Sequence, residues 1–166
     1  SHLENIFQKF NLETKNIQIV FGGDTRFQSV KNGLNLIQDL DAVVGIHDSA
    51  RPFVSLKTIQ NCFETAAIKG NAIPCISINE SLRKISNNIN SSINRNEYKI
   101  IQTPQCFLVS KIKKAFEQEY NFVFTDDATV LETIGEKIVL VEGNEENIKI
   151  TSPHDLLIAK ALIHEE

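Results

Sequence analysis

Residues 42–46 read Ala-Val-Val-Gly-Ile, a short apolar run that stops abruptly at His47-Asp48. A run this brief and this apolar is the pattern of a strand buried on both faces, and that pattern narrows the fold more than any other stretch of the chain. A second run, Ile17 to Phe21, stops at Gly22-Gly23 and is expected to be another buried strand entering a tight turn. Between the two, Phe27, Val30, Leu34, Ile37 and Leu40 recur at three- and four-residue steps, which predicts a helix over Arg26 to Leu40. Ser55 is placed to cap a helix running to about Lys69, with Ile59, Cys62, Phe63 and Ala66 on one face. Asn71 to Ile78 then returns as a strand. Strands alternating with helices predict an α/β fold with a mainly parallel sheet in three layers.

The alternation then breaks. Leu82 to Ile85 and Tyr98 to Ile101 read as short strands around a segment, Ser86 to Asn96, that is rich in Asn and Ser and too poor in apolar residues to enter a core. Residues 80–102 are therefore expected to form an exposed arm or hairpin, serving as an active-site flap or a dimer contact. Helices are expected at Ser110 to Tyr120 and around Asp126 to Ile134, and a strand at Lys137 to Val141. A last helix would start with Ser152 as cap, Pro153 in the first turn and Asp155 near its positive end. No repeat or linker divides the chain, so residues 1–166 read as one domain.

Composition excludes several classes of function. The chain of 166 residues is 42% hydrophobic, enough for one real core. Its net charge of −4, from 17 basic and 21 acidic residues, argues against a nucleic-acid partner, which calls for a basic excess. No apolar run approaches the roughly eighteen residues of a membrane helix, and the polar start, Ser1-His2-Leu3-Glu4-Asn5, does not resemble a signal peptide. Cys62, Cys75 and Cys106 are too widely spaced for a disulfide framework or a CxxC metal site, and read as thiols in a reducing compartment. These points describe a cytoplasmic domain.

Ligands of open α/β sheets bind beyond the carboxyl ends of the strands, and three segments fall there. Gly22 to Val30 offers two glycines and a helix N-terminus to an anion or a base edge, although an ordinary strand-to-helix turn would look the same. It matches neither GxGxxG nor GKS/T. Ile46 to Pro52 places Asp48 where a carboxylate could hold Mg²⁺ against phosphates, with Arg51 three residues on as a planar fork; a capping Asp and a surface Arg are the alternative. Glu142 to Thr151 holds Lys149 between Ile148 and Ile150, either in a site or simply at the surface. The chain has only four arginines, Arg26, Arg51, Arg83 and Arg95. Where lysine is the default surface cation, a retained arginine points to bidentate recognition. Asp126-Asp127 are accounted for by helix capping.

Taken together, GGDTRFQSVKNGL (22–34), IHDSARPF (46–53), ESLRK (80–84), NRNEYKIIQTPQCF (94–107), FTDDATVLETIG (124–135) and EGNEENIKITSPHDLLIA (142–159) resemble the 2-C-methyl-D-erythritol 4-phosphate cytidylyltransferases of isoprenoid synthesis. The resemblance implies a Rossmann-like nucleotidyltransferase fold, a homodimer joined through a β-arm, and Mg²⁺-dependent transfer from CTP to a sugar-alcohol phosphate. By position it implies that Gly23, Asp24 and Ser29 contact the cytosine and its surroundings. It places Asp48 on Mg²⁺ at the triphosphate, with Ser49 where the family usually has Ala. Arg51 and Lys149 would line the acceptor side, with Thr103 near the acceptor. Ser81, where the family often has Thr, and Arg95 would reach the partner subunit's acceptor phosphate, and Lys149 and Arg95 are the catalytic candidates. Nothing matches the family's glycine-rich loop with its arginine and lysine. The chain is thus expected to begin on the order of thirty or more residues into the family's fold, and to be inactive by itself. A ribitol-5-phosphate cytidylyltransferase, which shares the fold, and a non-catalytic nucleotide-binding domain remain alternatives. A Rossmann-type oxidoreductase is disfavoured by the missing GxGxxG turn.

Overall fold

The computed structural model describes residues 16–163, together with residues 7, 9 and 10. In chain order its elements are α1 (Arg26–Asn35), β1 (Val43–Ile46), α2 (Leu56–Lys69), β2 (Asn71–Ser77), β3 (Arg83–Ser86), β4 (Ile89–Ser92), a 3₁₀ turn (Arg95–Glu97), β5 (Lys99–Ile101), β6 (Gln105–Leu108), α3 (Val109–Ala115), α4 (Asp127–Glu132), β7 (Leu140–Glu142) and α5 (Pro153–Ile163).

The sheet is mixed rather than parallel in its pairing. β6 lies between β1 and β2 and is antiparallel to both, with Val43 opposite Leu108 and Asn71 opposite Phe107. β5 is antiparallel to the later part of β2, and β7 pairs with the other edge of β2 in parallel. So β1, β2 and β7 share one direction, as the strand–helix alternation predicts, but β1 and β2 do not touch. Alternation reports direction and not adjacency, which is why a strand arriving some sixty residues later could enter between them unseen. β5 and β6 are in effect one antiparallel strand along β2, interrupted at Gln102–Pro104; within the gap the Gln102 N–H still donates to the Pro74 carbonyl, at 2.8 Å.

Successive side chains of a strand point to opposite faces, and both faces here are covered. Ile73 and Phe107 meet Phe27 and Leu34 of α1, Ile112 and Ala115 of α3, and Ala128, Val130 and Leu131 of α4. Their neighbours Ala72 and Cys106 meet Cys62 and Ala66 of α2. The three layers expected from the sequence are present. Phe27 stacks on Phe116 and Phe124, with ring centroids 4.6 and 5.5 Å away, and anchors α1 to the elements around α3. Cys62, Cys75 and Cys106 are buried free thiols.

Helix α2 follows its prediction, with the Ser55 hydroxyl accepting from the Thr58 N–H and Gly70 closing the C-terminus at φ 94°. Ser152 does cap α5, and Asp155 accepts from the backbone of Thr151 and Ser152, which holds its carboxyl down at about 2. Other expectations need correction. Ile17 to Phe21 forms no strand, and Phe21 is 91% exposed. An apolar run becomes a strand only where a neighbour satisfies its backbone, and no described strand pairs with it. Helix α1 ends at Asn35 instead of Leu40, because Leu36 folds back on Gly33 and Asp39 turns the chain by accepting from the Asp41 N–H. Helix α3 stops at Ala115 instead of Tyr120, and the strand expected at Lys137 to Val141 lies at Leu140–Glu142.

The middle segment is a two-stranded hairpin, β3–β4, whose residues are all exposed. Its two-residue turn, Asn87-Asn88, has φ of 49° and 62°. Two positive φ values are what a type I′ hairpin turn needs, and Asn is the residue other than Gly that tolerates them best.

Candidate active site

The interruption between β5 and β6 positions the chemistry. At this interruption the Thr103 hydroxyl accepts from the Asp48 N–H, 3.0 Å away, just past the end of β1. Thr103 Oγ1 also lies 2.9 Å from His47 Nδ1, and His47 Nε2 lies 3.0 Å from the Arg51 carbonyl. The carbonyl can only accept, so Nε2 carries the proton and Nδ1 accepts from Thr103. This chain of bonds fixes the loop from His47 to Arg51.

Within that loop Asp48 gathers cations. Its Oδ2 is 3.0 Å from Lys149 Nζ and 3.4 Å from Arg51 Nε. Lys149 reaches it because the Ile150 N–H donates to the Ala50 carbonyl, bringing the segment after β7 against the loop after β1. Arg51 is held further by the Asn147 carbonyl at 2.8 Å. Asn147 is fully buried and donates through its side chain to the Thr103 carbonyl, leaving its own Oδ1 without a partner. Burial works to raise the Asp48 carboxyl; the hydrogen bond and charge of Lys149, then Arg51 and Arg26, outweigh it and hold the group below its ordinary value.

The far wall comes from elements that sequence reasoning did not connect. Arg26, first residue of α1, makes a two-pronged pair with Asp127, first residue of α4: Nη1 to Oδ1 at 2.8 Å and Nη2 to Oδ2 at 2.5 Å. Asp127 is fully buried, while the Arg26 side chain stays 45% exposed. Burial pushes the Asp127 carboxyl up against the opposing pull of Arg26, and the same hydrogen bonds hold Arg26 more firmly protonated. Asp126 does cap α4, accepting from the Thr129 N–H, but its other oxygen accepts from Gln105 of β6. Gln105 in turn accepts from the Ala128 N–H. Asp126 is the extended residue that caps α4 and Asp127 its first helical one, so the two carboxylates serve different partners.

These residues enclose a cleft of about 340 Å³ lined by Arg26, Asp48, Arg51, Thr103, Asp126 and Lys149 among others. A larger groove of about 780 Å³ runs beside α4, but its charged lining is Asp126, Glu132, Glu136 and Lys137, an acidic balance that repels phosphates. The cleft unites Asp48, Arg51, Thr103 and Lys149, four of the residues expected from the sequence. Gly23, Asp24, Ser29 and Ser49 are not among its lining residues. Ser29 instead braces its own loop, accepting from the Gly23 N–H and donating to the Thr25 carbonyl. A Cβ at Gly22 would meet Ser29 Oγ at 2.9 Å, so the loop packs closely on α1 there. Ser81 and Arg95 lie exposed at the base of the hairpin, where Arg95 donates to the Asn79 carbonyl.

A divalent cation would find one suitable oxygen here. Asp48 Oδ2 already faces two cations, whereas Oδ1 takes part in no hydrogen bond among the described residues. No group of three or more acidic, His or Cys side chains is assembled among those residues. That is no place for an all-protein metal cage, but it suits Mg²⁺, which is commonly bound by one or two carboxylates plus substrate phosphates.

A covered α/β sheet with Asp48, Arg51 and Lys149 gathered in one cleft at its strand ends has the makings of a phosphate-binding domain. Comparison with known proteins narrows the class. The chain belongs to the 2-C-methyl-D-erythritol 4-phosphate cytidylyltransferase (IspD) family, whose model matches residues 2–165. It is 50% identical over 145 residues to the Bacteroides fragilis protein of that name, covering 87% of this chain and 66% of that protein. The Porphyromonas gingivalis relative is 40% identical, covering 98% of this chain and 73% of the relative. The chain thus spans about two thirds of the length of these curated relatives. Among solved structures, 4-diphosphocytidyl-2C-methyl-D-erythritol synthase from Anaerococcus prevotii superposes with a TM-score of 0.85 at 27% identity, covering 98% of this chain and 73% of that one. The Thermus thermophilus cytidylyltransferase gives 0.75 at 32% identity, covering 85% of this chain and 70% of that one. The Rossmann-like nucleotidyltransferase fold expected from the sequence is the fold of these neighbours. No described helix is long and apolar enough to cross a membrane.

Proposed function

We propose that the protein carrying this chain transfers CMP from CTP to 2-C-methyl-D-erythritol 4-phosphate and releases pyrophosphate. The observation that carries this reading is the meeting of Asp48, Arg51 and Lys149 at one strand end, in a chain of this family. An acceptor phosphate oxygen forms a bond to the α-phosphorus of CTP, and the bond from that phosphorus to the bridging oxygen breaks. The electron pair leaves with pyrophosphate. The acceptor phosphate is already ionised, so no general base is needed, and the work left for the protein is positioning and charge neutralisation. Lys149 and Arg51 supply positive charge where it accumulates, and Asp48 keeps both aimed. Mg²⁺, held through Asp48, would neutralise the triphosphate. Thr103, fixed by His47 and Asp48, faces the acceptor. Gly23, Asp24 and Ser29 would meet the cytosine side, with Ser49 beside the phosphates through its backbone.

The hairpin within residues 80–102 suits a homodimer contact, because an isolated two-stranded hairpin is marginal in water and this one has Ile85 and Ile89 exposed. Ser81 and Arg95, which are exposed and do not line the cleft of their own subunit, would then serve the partner's acceptor phosphate. A cytoplasmic setting fits three free thiols and a CTP supply.

Pyrophosphate release tests this reading. The gene product that carries this chain, given CTP and Mg²⁺, should turn over with 2-C-methyl-D-erythritol 4-phosphate and not with ribitol 5-phosphate. Turnover with ribitol 5-phosphate alone would move the acceptor, and release with neither would overturn the assignment.

A further inference from the structure

The Arg26–Asp127 pair is not used by the mechanism above, yet Arg26 lines the cleft and Asp127 holds it from behind. Its two residues are 101 positions apart, and each is the first residue of a helix. On the α4 side the geometry is pinned from three directions: Gln105 holds Asp126 at 2.7 Å and Ala128 at 2.9 Å, and Arg26 holds Asp127. On the α1 side Arg26 directly follows the Gly22–Thr25 loop, whose internal bonds run through Ser29, Gln28 and Thr25. That loop is therefore a small rigid unit, and Arg26 is its polar tie to the wall of the cleft. Nearly half of the Arg26 side chain stays open to solvent and lines the cleft, while Asp127 anchors it from the buried side.

We propose that Arg26 and Asp127 act as one positioning pair that registers the Gly22–Ser29 loop against the Asp48 cleft and so sets the affinity for the nucleotide over that for the acceptor. The inference rests on the assignment of CTP as donor. A planar fork on a carboxylate fixes both distance and rotation, which a lysine ammonium cannot do. Rotation matters because the loop would hold the base end of a nucleotide whose other end lies at Asp48 and Lys149. A small tilt at α1 would misplace one end whenever the other is seated.

The test uses the gene product that carries this chain, with KM for each substrate and kcat measured for Arg26→Lys, Asp127→Asn and the double variant. Arg26→Lys keeps the charge and loses the fork; Asp127→Asn keeps the shape and loses the charge. Phe27, stacked in its aromatic cluster, keeps α1 docked in all three. Each single variant should raise KM for CTP about tenfold, the range of coupling for contacting charged groups, with KM for the acceptor and kcat within about twofold. The double variant should be no worse than either single one, because the two residues act as a unit. Equal rises in both KM values, an unchanged KM for CTP, or additive effects near a hundredfold in the double variant would overturn the proposal while leaving the assigned reaction intact. Wild-type protein that releases no pyrophosphate from CTP would instead overturn the assignment on which it rests.

Discussion

Asp48 shows how one side chain can be both held and useful. Two cations within 3.4 Å of one oxygen keep it ionised, while its other oxygen stays out of the protein's hydrogen bonds. The folded group sits below its ordinary value, so its contribution to stability is complete above about pH 4, the unfolded value. That contribution is lost as pH falls through the lower folded value. Asp48→Asn should accordingly narrow the gap between urea midpoints measured at about pH 6 and about pH 3. An unchanged gap would mean that the carboxylate is not paired in solution. Asp48, Arg51 and Lys149 were legible in the sequence because strand ends are where α/β sheets bind ligands, and short apolar runs mark those ends, whereas Thr103 came only from the family resemblance. The pairing of Arg26 with Asp127 was not. Periodicity carries no information on which of two adjacent acids turns inward, and a contact across 101 positions leaves no local trace.

At the scale of elements, local chemistry and tertiary demand separate cleanly. Helix α2 was readable in its cap and its length, but its expected face was only partly right: Cys62 and Ala66 are buried while Phe63 is exposed and Thr58 is buried instead. The hairpin was readable as an exposed excursion, but its strands were not: Ile89–Ser92 lies inside the stretch read as a polar segment, and the strand expected at Tyr98–Ile101 joins β2 of the main sheet instead. The run from Ile17 to Phe21 has the composition of a strand, and none of the described strands lies beside it. In the turn of the hairpin, Asn88 at φ 62° has little freedom to change. Replacing it by Val should destabilise the hairpin by about 1–2 kcal/mol, whereas Gly should be tolerated. Amide exchange along β3 and β4 would report this directly, and equal protection in the Val variant would contradict the turn geometry.

The whole molecule depends on a sheet that is filled from the middle. Phe107 of β6 is completely buried at the meeting of α1, α3 and α4, one residue from Cys106 on the opposite face. Phe107→Ala should cost about 3–5 kcal/mol, measured as a shift in the denaturation midpoint, because no neighbouring element can collapse into the space. A loss below 1 kcal/mol would mean that this layer is not the main core.

The order of those strands also governs assembly in time. Val43 must wait for Leu108, and Asn71 for Phe107, before either early strand gains its inner neighbour. On a ribosome, β1 and β2 therefore emerge with a slot between them about two strand spacings, or roughly 10 Å, wide. The intervening hairpin is already made when the slot is filled, since its ladder closes within ten residues, from Arg83 to Ser92. The sheet locks only when residues 105–108 slide in. Contacts this distant in sequence make the closing step slow, and until it occurs the open edges of β1 and β2 are a chaperone's concern rather than an enzyme's.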